Sequence, residues 1–231
     1  MIKLFADGAN LESIRELEAL GRVSGYTTNP TLMRQAGIKD YLQFAKSLTI
    51  EVPHKPISLE VIADSFEEMV RQARLLSSLA ENIYVKIPIV NTKGELTVPV
   101  IAELSELGVK VNVTAVMTEG QARAVLDAVQ DGTPLIISVF AGRIADTGRD
   151  PCDLIARLAS VRQGRTECEL LWASTREVFN IVQAENCGCD IITVTTSILS
   201  KLPLFGKDLQ EYSKETVEMF YKDAVESEFS I

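Results

Sequence analysis

Histidine is nearly absent from this chain. His54 is the only one in 231 residues, and it stands beside Pro53 in a loop-like stretch. Acid–base chemistry that relies on imidazole has lost its usual group, so proton transfers must fall to other side chains. Cysteine is scarce as well: Cys152, Cys168, Cys187 and Cys189. The run Cys187-Gly188-Cys189 is too tight for zinc-knuckle spacing and has no histidine near it, so the thiols read as reduced and structural, and no metal is expected. No apolar run is long enough to span a bilayer. The N-terminus enters Ile2-Lys3-Leu4-Phe5-Ala6 at once, too short a lead for a signal peptide, and a cytoplasmic protein without a membrane partner is expected. Positive charge is in deficit. The net charge of −9 argues against a nucleic-acid partner and requires any anionic substrate to find a local cluster of cations. A glycine-rich phosphate loop is missing too, since the first apolar run is followed by Asp7-Gly8-Ala9-Asn10 rather than G-x-G-x-x-G.

What is present is an alternation of short apolar runs with helical patterns. A hydrophobic fraction of 46% beside a charged fraction of 24% is that of a globular chain with a sizeable core. Strands are expected at 2–7, 23–28, 56–62, 83–89, 110–116, 135–141, 168–173 and 190–195. Helices are expected at 10–20, 30–48 in two pieces, 64–80, 94–107, 119–130, 151–163 and 175–187. Runs such as Leu135-Ile136-Ile137-Ser138-Val139-Phe140 are apolar almost throughout, as parallel strands covered by helices should be. Eight strand–helix units fit a closed (β/α)8 TIM barrel of the α/β class better than an open doubly wound sheet. After Pro203 the pattern changes to one long polar helix over 207–228, with Leu209, Tyr212, Thr216 and Phe220 on one stripe. The domains expected are therefore a barrel over 1–202 and a C-terminal helical extension over 203–231. That extension packs either across its own barrel or on a neighbouring subunit.

In such a barrel the reactive groups gather at the C-terminal strand ends. Lys86 is the most telling of them. It lies in Ile83-Tyr84-Val85-Lys86-Ile87-Pro88-Ile89, where a lone ammonium costs several kcal/mol of desolvation unless it is paired or loses its proton. A lysine that snorkels from the strand end or pairs with a carboxylate would satisfy the packing alone. A neutral amine there would instead be the nucleophile for a Schiff base with a carbonyl substrate. The other strand ends supply Asp7, Thr27-Thr28-Asn29-Pro30, Glu60, Asn112 with Thr114, Ser138 with Phe140, Ser174, and Thr195-Thr196. Asn112 and Thr114, two residues apart, share one face. Asp7 either closes an Asx-type turn with Gly8 ahead of an Asn10 cap or serves as an acid–base group; Glu60, in an apolar strand, needs a partner or a water to activate. Arg143 has Asp146 and Asp150 as possible surface partners. Arg176 is expected in the first turn of a helix, where a cation opposes the helix dipole unless an anion binds there with Ser174. Two arginines at late strands match the usual barrel location for phosphate. The chemistry that follows is attack of Lys86 on the ketone of a phosphorylated sugar, with Asp7 and Glu60 moving protons. It needs no metal or organic cofactor.

In order along the chain, Phe5-Ala6-Asp7, Gly25-Tyr26-Thr27-Thr28-Asn29-Pro30-Thr31, Ile57-Ser58-Leu59-Glu60-Val61, Val85-Lys86-Ile87-Pro88, Val111-Asn112-Val113-Thr114, Ser138-Val139-Phe140-Ala141-Gly142-Arg143-Ile144 and Ala173-Ser174-Thr175-Arg176 resemble the transaldolase family. The resemblance covers roughly residues 2–200. It implies a class I, Schiff-base enzyme on a TIM barrel, with Lys86 as the Schiff-base lysine and Asp7 as the main acid–base residue. Glu60 and Thr114 would hold the catalytic water. Thr28, Asn29, Asn112, Ser138 and Phe140 would line the substrate, and Arg143, Ser174 and Arg176 would bind its phosphate. The short chain is similar to the small transaldolase subgroup, which implies a homo-oligomer, pentamer or decamer, assembled through the C-terminal helix. Fructose-6-phosphate aldolases of that subgroup tend to carry glutamine and tyrosine where Glu60 and Phe140 stand here, so the resemblance implies transfer of dihydroxyacetone rather than its release. A non-catalytic sugar-phosphate-binding barrel is the remaining alternative. Gly8, Trp172, Met117-Thr118 and Thr195-Thr196-Ser197 depart from the family pattern and bear on the acceptor pocket.

Overall fold

The computed structural model describes residues 2–162, 164–227 and 229; the final positions of the helices expected over 151–163 and 207–228, and the ends of both expected domains at 1 and 231, lie outside the described residues. The elements run β1 (Lys3–Asp7), α1 (Leu11–Leu20), β2 (Gly25–Thr27), α2 (Pro30–Gln35), α3 (Tyr41–Glu51), β3 (Ile57–Glu60), α4 (Phe66–Ser77) and β4 (Ile83–Pro88). They continue with α5 (Val98–Glu106), β5 (Val111–Val116), α6 (Glu119–Ala128), β6 (Leu135–Val139), α7 (Ala141–Ala145), α8 (Cys152–Val161), β7 (Cys168–Trp172), α9 (Asn180–Asn186) and β8 (Ile191–Val194). The last are α10 (Thr196–Leu199), a 3₁₀ turn at Leu202–Leu204 and α11 (Leu209–Glu226). The eight strands are parallel and pair in chain order, with β8 returning to β1 to close the barrel. The expected (β/α)8 architecture is the one observed.

The strands form where apolar residues are covered on both faces. Every residue of β6 is buried, as are all but one of β5, and Ile57, Leu59, Val85, Ile87, Val111 and Val113 have no exposed surface. Each such side chain contributes about 1.5–3 kcal/mol relative to exposure. The barrel interior also dictates one glycine. Gly25 pairs with Phe5 across β1 and β2, and a Cβ on Gly25 would lie 2.6 Å from the Phe5 ring. Helix starts are set by side-chain caps: Asn10, Asn29, Asp40 and Thr118 each accept from the amide three residues on.

Two boundaries differ from expectation, and both matter to the site. The strand expected over 135–141 ends at Val139, because Phe140 accepts from the Ile144 amide and begins the short helix α7. The helix expected over 175–187 begins only at Asn180. Its Oδ1 accepts from the amides of Arg176 and Glu177, which holds residues 174–179 as a loop. Arg176 is therefore not in a first helical turn.

The chain divides into two compact units, Met1–Thr196 and Ser197–Ile231, a division six residues before the one expected after residue 202. In the second unit α11 starts at Leu209, and Asp208 before it caps the amides of Gln210 and Glu211. Leu209, Tyr212 and Phe220 of its expected apolar stripe are exposed. Among the described residues no helix is long and apolar enough to cross a membrane. All four cysteines are free, and burial pushes the Cys168 thiol up to about 12.

Candidate active site

Strand register places the reactive groups side by side. Glu60 pairs with Lys86, and Lys86 pairs with Asn112, so three neighbouring strands present these side chains in one row. Asp7 pairs with Thr27 on β2, which in turn pairs with Ser58. A cavity of about 450 Å³ opens above this row at the C-terminal end of the barrel. Its wall includes Asp7, Thr27, Asn29, Glu60, Lys86, Thr114, Phe140, Arg143, Ser174 and Arg176.

Lys86 is 6% exposed. Its Nζ donates to the Thr28 carbonyl at 2.8 Å and lies 3.1 Å from Glu60 Oε2. The pairing alternative raised by the sequence is thus met, and the amine is held between two oxygen acceptors on the cavity floor. Glu60 is fixed from behind: the Tyr41 hydroxyl donates to its backbone carbonyl at 2.7 Å. Burial pushes the Tyr41 hydroxyl upward, and the nearby Glu60 charge adds to that. Asp7 accepts from the Thr27 hydroxyl at 2.8 Å, and the Thr27 hydroxyl also meets that of Thr193. Burial raises the Asp7 carboxyl above its ordinary range. Lys86 and the Thr27 hydroxyl oppose the rise, and Glu60 reinforces it. A carboxyl raised in this way sits closer to the protonation state an acid–base group needs.

The remaining expected residues fall into three groups. Thr114, Asn29 and Phe140 line the cavity. The Thr114 hydroxyl is buried without a partner among the described residues, which leaves it free for a water or substrate atom. Asn29 spends its Oδ1 on the Leu32 amide, capping α2, and keeps its Nδ2 for the cavity. Thr28, Asn112 and Ser138 are not in the cavity wall. Asn112 has no exposed surface; its Nδ2 donates to Ser58 at 3.0 Å and its Oδ1 accepts from Ser138 at 2.6 Å, a network that braces the Lys86 row from within. Thr28 contributes its carbonyl, and the wall position belongs to Thr27 instead. Strand alternation points to this, since Thr27 has the parity of Gly25 and Asn29.

The cationic end is built by the short helix α7 and the loop after β7. Arg143 stands 5.9 Å over the Phe140 ring and has no ion-pair partner among the described residues. Asp146 pairs instead with Arg176, Nε to Oδ1 at 3.1 Å and Nη2 to Oδ2, and the Arg176 hydrogen bonds hold its carboxyl below the usual range. Asp150 caps the Cys152 amide. The surface pairing weighed for Arg143 thus belongs to Arg176. Only two non-glycine residues among those described have left-handed backbone, Ala115 with φ 59° and Ser174 with φ 64°. One follows Thr114 at the register shift between β5 and β6, and the other is in the cavity wall. Such conformations cost about 1–3 kcal/mol each and gather at working sites. Tyr41 and Thr193 belong to this arrangement without any signal in the sequence, whereas Thr27, Ser58, Asp146 and Thr175 stand in the sequence as strand-end, motif or surface-pair residues with no role in the site.

A family model for Transaldolase/Fructose-6-phosphate aldolase matches residues 4–231. The chain belongs to that family. A probable transaldolase of Methanococcus maripaludis (strain C7) is 37% identical over 91% of this chain and 95% of that relative. A probable transaldolase of Thermoanaerobacter sp. (strain X514) is 35% identical over 93% and 96%. Among solved structures, 3-hexulose-6-phosphate synthase from Salmonella typhimurium superposes with a TM-score of 0.61 at 18% identity, covering 86% of this chain and 91% of that one. That likeness concerns the barrel alone. Within the transaldolase/fructose-6-phosphate aldolase family, the motifs that carried the resemblance coincide with the cavity: Asp7, Glu60, Lys86, Arg143, Ser174 and Arg176 all face one space.

Proposed function

We propose that the protein is a transaldolase that moves a dihydroxyacetone unit from fructose 6-phosphate or sedoheptulose 7-phosphate to an aldose phosphate through a Schiff base on Lys86. The observation that carries this reading is the placement of the Lys86 amine. It is buried at the floor of a polar cavity, 3.1 Å from Glu60, with the raised carboxyl of Asp7 facing the same space. Lys86 must give up a proton before it can attack, and Glu60 is the acceptor in reach. The amine adds to the ketone carbon, and loss of the former carbonyl oxygen as water leaves an iminium. Asp7 takes the proton of the hydroxyl on the far carbon of the bond to be broken. That bond's electron pair then moves into the iminium, giving an enamine on Lys86 and a free aldehyde. An incoming aldose phosphate reverses these steps at its own aldehyde carbon, and water releases the new ketose. Thr114 and Glu60 are suited to hold that water. Arg143, Ser174 and Arg176 are suited to the phosphate.

The fructose-6-phosphate aldolase activity named in the family description is the competing reading. Glu60 favours transfer, because the resemblance associates release with glutamine at that position. Borohydride trapping with fructose 6-phosphate, with and without erythrose 4-phosphate, tests the proposal. Wild type should gain the mass of a reduced three-carbon adduct on the Lys86 peptide. Lys86→Ala should gain none, and the acceptor should diminish the wild-type adduct. Absence of any adduct would leave a sugar-phosphate-binding barrel, and rapid release of dihydroxyacetone without acceptor would replace transferase by aldolase. We also infer a homo-oligomer of five or ten copies in which α11 packs on a neighbour, supported by its exposed Leu209, Val217, Phe220 and Tyr221. Light scattering on the purified chain checks this.

A further inference from the structure

Arg143 comes from α7, after β6, and Ser174 and Arg176 from the loop after β7, and their spacing depends on how closely those two segments approach. Gly142 sits at the contact. A Cβ built there would lie 1.6 Å from the Ser174 carbonyl oxygen, 2.8 Å from its carbon and 3.3 Å from Cγ of Arg176. Carbon–oxygen contacts of this kind settle near 3.3–3.6 Å, so no side chain fits unless the β7 loop withdraws by well over an ångström. The backbone of Gly142 is ordinary right-handed helix in α7, so space rather than torsion demands the glycine.

Ser174 is the other half of the contact. Its φ of 64° turns its carbonyl onto Gly142. The trans peptide sets C=O and N–H antiparallel, so the Thr175 N–H faces away from Gly142. Among the described residues neither the Ser174 nor the Thr175 amide donates a hydrogen bond, while both residues line the cavity. The loop is anchored farther on, where the Thr175 hydroxyl donates to the Thr193 carbonyl at 2.6 Å. Successive free amides around a left-handed residue form an anion-binding concavity.

We propose that Gly142 is a positioning residue for the anion site. By leaving room for the Ser174 carbonyl, it fixes the Ser174–Thr175 peptide so that the Thr175 N–H, with the Ser174 N–H of the preceding peptide, joins the Ser174 hydroxyl, Arg143 and Arg176 around a substrate phosphate. The inference rests on the reading that the substrate is a phosphorylated ketose, and the test separates the two. Half-saturation of borohydride trapping is measured with fructose 6-phosphate and with dihydroxyacetone, which carries no phosphate. Gly142→Ala should raise the value for fructose 6-phosphate roughly tenfold or more, the scale of one charge-assisted hydrogen bond. The value for dihydroxyacetone should stay within about twofold. An unchanged fructose 6-phosphate value, or an equal rise for both, would overturn the inference. Arg143→Gln distinguishes the failures. If it too leaves fructose 6-phosphate unchanged, the phosphate reading falls; if it raises the value while Gly142→Ala does not, only the role of Gly142 falls.

Should Gly142→Ala not fold, the double variant with Ser174→Gly lets the carbonyl turn aside and accommodate the methyl group. It should fold and need more fructose 6-phosphate than Ser174→Gly alone, and equal values would refute the proposal. Calorimetric titration with inorganic phosphate makes the same comparison without the Schiff base.

Discussion

Two lysine–carboxylate pairs stand at opposite ends of one barrel. Lys3 of β1 meets Glu169 of β7 at 2.6 Å at the N-terminal end, with side chains 53% and 25% exposed. Lys86 of β4 meets Glu60 of β3 at 3.1 Å at the C-terminal end, with side chains 7% and 17% exposed. The shorter contact is the less consequential one. In water an ion pair is worth about 0–1 kcal/mol, because solvent serves either partner as well. At the cavity floor solvent is scarce, and removing one partner leaves a charge that nothing nearby replaces. Residue type and distance therefore do not mark the working pair; desolvation and the neighbouring Asp7 do.

The comparison can be broken by mutation. Lys86→Ala should reduce turnover by at least about a thousandfold, since the proposed covalent step would be lost, whereas Lys3→Ala should leave it within about twofold. Steady-state kinetics decides, and equal losses would erase the distinction. Glu60→Gln should lower transfer by about a hundredfold, the scale of one acid–base group, and increase free dihydroxyacetone relative to transfer product. Glu169→Gln should do neither. A coupled assay for both products reads the difference.

The working end should also cost stability, in a pH-dependent way. The Asp7 carboxyl is raised by burial, so the folded state binds its proton more readily than the unfolded state. Stability from this group is then greatest below the ordinary aspartate range and falls as pH rises toward the raised value. Asp7→Asn should therefore melt above wild type at pH 7 while losing activity, and the gap should close as pH falls through the ordinary aspartate range. A gap that widens on acidification would contradict the burial argument. The smallest effect belongs to the solvated pair. Replacing Lys3 by Met should shift Tm by less than about 4 °C, consistent with under about 1 kcal/mol, and less still in high salt.

Much of the site was legible from strand ends. Asp7, Glu60, Lys86 and Thr114 were readable because a polar residue in an apolar parallel strand is anomalous wherever the strand pairs. Asn29 was readable as a polar residue just past a strand end, whereas the apolar Phe140 rested on the family resemblance. The cavity position expected for Thr28 belongs to Thr27, as the alternation of inward positions favours. Arg176 was misplaced because its segment looks helical locally, and only Asn180, folding back onto the amides of Arg176 and Glu177, keeps it a loop. The helix α7 has no separate signal in the sequence, because Ala141-Gly142 continues the apolar character of β6.

The chain alone determined the eightfold alternation of strand and helix, the presence of a single histidine and the polar residues at the strand ends. These are properties of neighbouring residues, set by local periodicity and side-chain chemistry. Tertiary structure alone decided that Glu60 pairs with Lys86, that Asp146 pairs with Arg176, and that Thr27 meets Thr193 from 166 residues away. It also brought Gly142 onto the Ser174 carbonyl. Register and barrel closure set those distances, and both depend on how all eight strands bury their side chains together rather than on any one segment.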